Sequence, residues 1–223
     1  MEPARGLLKL PCELVANVLR HFANVEQLLP ARLACRHINE SFLQHSTLST
    51  EILRNQIGFE LIPLAVASFR LSHNPSTTEE CQSLLEDLHL NQDRLASEVQ
   101  GMSASDISRL SMRHDLVRQF ATDFASSAWG KLEKEVPPNL SVAEDLRLCR
   151  SFYRFDLLCG FIRAYKPSLE SERMVLLAMK RYALSWHSPW VNEQVACAHD
   201  FLESRLLEGI SLLLPHCHFN RDH

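Results

Sequence analysis

Apolar residues recur along this chain at spacings of three and four, and no stretch alternates apolar with polar as a half-buried strand requires. That spacing gathers side chains on one face of an α-helix. Glycine occurs only 6 times in 223 residues and β-branched runs are few, so the expected class is all-α. A hydrophobic content of 46% lets a chain of this length bury a sizeable core. No period of about 20 to 50 residues repeats, which favours an irregular helical bundle over a solenoid.

Capping signals divide the pattern into helices. Pro11 suits a first turn, and Leu14, Val15, Val18, Leu19 and Phe22 predict a helix ending near residues 22–24. A second is expected over 26–35 with Pro30 inside it, which implies a kink or a start near Leu29 that places the proline in the first turn. A third covers 37–44, and Pro63 opens a short buried helix over 64–69. Residues 73–76 read as a loop. Thr77 and Glu80 form a capping box ahead of Cys81, Leu84, Leu85 and Leu88. Ser103 or Ser105 caps a helix through Ala128, with Ile107, Leu110, His114, Val117, Ala121 and Phe124 on its inner face.

Pro137-Pro138 marks the clearest interruption. Ser141 and Glu144 make a second capping box, for a helix carrying Leu148, Phe152, Phe155, Cys159 and Ile162 to about Tyr165. Ser168, with Glu170 and Glu172 behind it, caps a helix expected to reach Trp186. Ser188-Pro189 starts the last one, with Val191, Val195, Ala198, Leu202 and Leu206 inward, and Pro215 stops it. The expected division is a small module over 8–48, a helical domain over 51–214 with a possible subdivision near 137–138, and a frayed tail over 215–223.

A net charge of -4, with 23 Lys and Arg scattered along the chain, gives no basic footprint for nucleic acid. Seven cysteines at irregular spacing, several of them at apolar positions, read as reduced, buried thiols. No apolar run approaches the roughly 18 residues of a membrane span, and the start lacks a signal peptide's apolar block. The expected location is therefore the cytoplasm or nucleus, with neither membrane nor nucleic acid as a partner.

Leu10, Pro11, Glu13, Leu14, Val18, Leu19, Leu28, Leu29, Leu33, Cys35 and Arg36 follow a distinctive order: a Leu-Pro start with an acidic residue after it, paired apolar residues, and a closing apolar-x-Cys-Arg. This stretch resembles an F-box. The resemblance implies a three-helix module in which those residues dock onto a Skp-type adaptor, and through it onto a cullin ubiquitin ligase. A module this small cannot bury all of its leucines, and those left outside form a surface for a partner. The alternative is that the same segment is simply the first three helices of one bundle, with every leucine facing its own core. Many F-boxes close with a Leu-Trp pair; here Leu48 is followed by Ser49 and no tryptophan is near.

A second resemblance lies at 149–156 and 188–202, which look like paired motifs of uncharacterised F-box proteins from filamentous fungi. Members of that group generally continue well beyond the point where this chain ends, and they usually carry an acidic residue where Val191 stands. Trp190 and Phe152 read as core anchors.

Potential chemistry elsewhere is thin. His216, Cys217, His218, Asp222 and His223 concentrate metal-ligand types, but successive positions cannot all face one ion from regular structure. Cys197 and His199 are likewise too close for a helical ligand pair. Cys149, Cys159 and Cys197 lie in no activating motif, and Glu13, Glu133, Glu135, Glu170 and Glu172 fall at caps or exposed turns. With so few glycines there is no phosphate-binding loop. The expectation is a non-catalytic substrate receptor without cofactor, metal or catalytic residue. The alternative is a helical interaction scaffold whose F-box-like segment assembles no ligase. An unrecognised helical enzyme ranks last.

Overall fold

The computed structural model describes residues 6, 9–73, 77–130, 140–165, 177 and 179–213. Among them the chain is helical throughout, with no strand. The first three helices are short: α1 Cys12–Leu19, α2 Leu28–Ala34 and α3 Arg36–Gln44, with a 3₁₀ turn Val25–Gln27 before α2. They are followed by α4 Leu48–Ile57, α5 Ile62–His73, α6 Thr78–Leu90 and α7 Gln92–Glu98, which runs into a 3₁₀ turn Val99–Gly101. Long helices α8 Ala104–Gly130 and α9 Val142–Tyr165 come next. A π-helical segment Lys180–Leu184 then leads towards α10 Pro189–Leu213.

The punctuation explains most of these starts. Pro11 occupies the N-cap of α1. Pro30 is the third residue of α2, where a missing N–H costs nothing, so the expected kink gives way to the late start. The Thr77–Glu80 capping box is present in both directions, and Ser141 and Glu144 reproduce it at α9. Ser103 Oγ accepts the Asp106 amide at 3.2 Å, which identifies it as the cap of α8.

Some boundaries differ from the sequence reading. α1 stops at Leu19, short of residues 22–24, because Asn24 turns the chain by accepting the Gln27 amide at 3.3 Å. α5 runs from Ile62 to His73, well beyond 64–69, so His73 belongs to a helix rather than a loop. α4 and α7 are helices beyond those that the sequence pattern predicts. α4 buries Leu48, Ile52, Leu53 and Ile57, and Gly58 ends it at φ 80°, a left-handed conformation that only glycine adopts without strain. The Pro137-Pro138 interruption, the cap at Ser168 and the tail from 214 onward lie outside the described residues.

α5 is the central element, buried on nearly every side over 61–69 by α6, α7, α8 and α9. It comes close to α9 at Gly160, where an added Cβ would sit 2.8 Å from the Leu71 Cβ. One continuous core runs from Val15 to Phe201. Its far end is an aromatic knot in which Phe124 meets Phe201 at 5.4 Å and Phe152 meets Phe201 at 6.2 Å, both edge-on.

Several polar groups trapped between helices are paired. Asp156 of α9 accepts from Ser68 of α5 and Arg113 of α8, and Arg113 also donates to Ser72 Oγ at 2.7 Å. His114 Nδ1 lies 2.9 Å from the Tyr153 hydroxyl, both groups being buried.

α10 corrects two expectations. Its inner face is Val195, Ala198, Phe201 and half-buried Leu202, and the helix packs on α9, while Leu206 is exposed. Phe152 is a core anchor, but Trp190 is 72% exposed. The first turn of α10 is seated instead by Asn192, which donates to the Leu184 carbonyl at 3.1 Å.

Candidate functional site

The residues singled out near the N-terminus divide by burial. In α1, Val15, Ala16 and Leu19 face the core, while Leu14 and Val18, one turn apart, are 47% and 45% exposed. In α2, Leu28 is buried, while Leu29 and Leu33, again one turn apart, are 59% and 80% exposed. The four exposed side chains thus form one i,i+4 pair on each helix. Leu19 and Leu28 belong to the chain's own core.

The remaining members surround these pairs. Leu10 is half-buried against the core, and its carbonyl lies 2.8 Å from His37 Nε2 of α3. Pro11 and Glu13 are exposed at the start of α1, where the acid complements the helix dipole. Cys35 is half-buried and extended, φ -151° and ψ 125°, forming the joint between α2 and α3. Arg36 is exposed and donates to Glu40 at 2.8 Å along its own helix. Leu43 adds a further exposed leucine on α3. Arg32 lies over the Phe42 ring at 4.0 Å and holds α2 to α3.

This unit is fixed to the rest of the chain. Asn24 Nδ2 donates to Asp115 of α8 at 3.1 Å, and Arg20 pairs with Glu51 of α4. Gln56 of α4 donates to the same Asp115 at 2.9 Å and accepts from Ser111 Oγ at 2.8 Å. The exposed apolar side chains therefore sit on a braced support, which lowers the cost of ordering this segment in any contact it makes.

Cysteines offer no activated thiol in the core. Burial pushes Cys81 and Cys149 up to about 12, and it raises Cys159 as well. Cys197 is exposed rather than buried, against the sequence expectation, because it lies on the outer face of α10. Among the described residues, His199, Asp200 and Glu203 bring ligand-type atoms within 4.8 Å of one another on that exposed face. The signal in the sequence is the His-x-x-x-Glu spacing of His199 and Glu203, which lies beside the Cys197–His199 pair. Tail residues 216–223 lie outside the described residues. Compared with known proteins, the chain matches no family model, no curated sequence and no solved structure.

Proposed function

We propose that residues 8–48 dock onto a Skp-type adaptor and that the chain serves as a non-catalytic substrate receptor of a cullin ubiquitin ligase. The observation that carries the reading is the split within α1 and α2: Val15, Leu19 and Leu28 anchor the module, while Leu14, Val18, Leu29 and Leu33 face outward. Burying an exposed leucine at an interface contributes about 1.5 to 3 kcal/mol. Paired leucines on a braced unit are the kind of patch that marks a protein contact site.

Binding of purified Skp adaptor to the wild type and to a Leu14→Ser, Leu33→Ser double variant tests the proposal. Tight binding by the wild type, lost in a variant that still folds, is the expected result. No binding by the wild type rejects the reading.

A second reading is a helical interaction scaffold that uses this segment within its own bundle. It is favoured by the Asn24–Asp115 and Arg20–Glu51 contacts, which tie the segment to α8 and α4.

A further inference from the structure

A cleft of about 310 Å³ opens beside α5, α6 and α9, away from the leucines described above. That volume falls at the lower end of the range for small-ligand sites, about 300 to 1,000 Å³. Phe59, Pro63 and Leu88 supply apolar wall, and His89, Arg154 and His187 supply the polar end.

The arginines of this cleft are one turn apart on α9 but not equivalent. Arg150 Nη2 donates to Glu60 at 2.7 Å. Arg154 has no ion pair among the described residues, and its Nε is buried without a hydrogen-bond partner. A half-buried guanidinium that lacks an ion pair, with one N–H buried and unpartnered, is costly. Burial, reinforced by the charge of Arg150, lowers Arg154 to about 10. The carboxylate of Asp93 also lines the cleft but is exposed.

The two histidines bring neutral donors to the same place. Their ring centroids are 5.0 Å apart. Burial first, and then the charge of Arg154, holds both below the usual histidine range, His187 at about 4. His89 is fixed by the indole of Trp186, stacked at 4.7 Å and 9°. His187 arrives on the turn that follows the π-helical segment, a distortion frequent at functional sites. His89, Arg154 and His187 also line a second void of about 30 Å³ with Asn192, whose Oδ1 is likewise buried without a partner.

We propose that this cleft binds a phosphate-type oxyanion, with the Arg154 guanidinium opposite its charge and His89 and His187 donating to its remaining oxygens. A carboxylate is satisfied by an arginine fork alone, whereas a phosphoryl group has a third oxygen for the imidazoles. The cleft is larger than the anion itself, leaving room along Phe59 and Pro63 for what carries it. The carrier is either a free phosphate-bearing compound or a phosphorylated side chain of a recruited protein. The inference stands apart from adaptor docking, because none of its residues lies within 8–48.

Histidine ring NMR on the full chain tests this, titrating with inorganic phosphate and separately with a phosphoserine peptide, at ionic strength matched with chloride. The expected result is saturable movement of the His89 and His187 ring signals, with both rings titrating at higher pH when the dianion is bound. Arg154→Gln should weaken the response at least about tenfold, the value of one charge-assisted hydrogen bond, and Arg154→Lys should retain part of it. Tighter binding of the peptide assigns the carrier to a protein, and equal or tighter binding of inorganic phosphate assigns it to a free compound. No saturable movement in the wild type overturns the proposal, as does an unchanged response in a folded Arg154→Gln or His187→Gln variant.

Discussion

The close approach of α5 to α9 at Leu71 depends on Gly160 having no side chain. In Gly160→Ala the new Cβ would meet the Leu71 Cβ at 2.8 Å. Carbon atoms rest at about 3.5 to 4.0 Å, so the helices must part by roughly 0.7 Å or more. The obstructing atom is the first carbon of a side chain and cannot rotate away. Overpacking of this kind costs about 1 to 3 kcal/mol, and here the upper half of that range is expected. Alanine regains about 1 kcal/mol of helix propensity, leaving a net loss of about 1 to 2 kcal/mol.

Gly209 provides the control. It lies inside α10, and a Cβ there meets nothing within 4 Å. Gly209→Ala should therefore stabilise, by about 0.4 to 1 kcal/mol. Urea unfolding followed by circular dichroism measures both variants, and they should move in opposite directions from wild type. A Gly160→Ala protein as stable as Gly209→Ala would refute the close-packed α5–α9 seam.

Two further outcomes follow from burial. His114 is held at about 4 by desolvation and the charge of Arg118, below its ordinary value of 6.5. The unfolded chain takes up that proton first, so stability should fall as pH drops from about 6.5 to 4 and then level, a loss on the order of 3 kcal/mol. His187, also held at about 4, adds in the same direction. Denaturation at a series of pH values should show a shallower slope for His114→Gln; an identical slope would contradict the assignment. In native protein, a brief iodoacetamide pulse read by mass spectrometry should label exposed Cys197 and spare Cys81 and Cys149, whose thiols stay protonated. Labelling of Cys81 or Cys149 at the rate of Cys197 would mean that the core opens.

What could be read in the sequence follows where local chemistry decides the outcome. Thr77 with Glu80, Ser103 with Asp106, and Ser141 with Glu144 satisfy backbone donors through side chains a few residues away, so they mark helix starts without tertiary information. The His114 stripe of α8 was equally visible, because a 27-residue helix repeats its pattern many times. α7 was invisible: it is polar apart from Leu95 and Ala96 and is held by its neighbours. The outward turn of Trp190 was invisible too, since it depends on where Asn192 finds a carbonyl on another segment.

The candidate sites divide in the same way. Order of residue types located the N-terminal leucines, but only packing separates Leu29 and Leu33 from Leu28 and Leu19. His89, Arg154 and His187 come from three separate parts of the chain and share no spacing, so nothing local announces their cleft.

Hydrogen exchange of the full chain with and without purified Skp adaptor decides between docking and a purely internal role for residues 10–40. If Leu14, Val18, Leu29 and Leu33 meet the adaptor, amides of α1 and α2 should gain protection on its addition, while α8 and α9 stay unchanged. Amides of α1 and α2 that are already fully protected in the free chain and do not respond to adaptor would contradict the proposed receptor role.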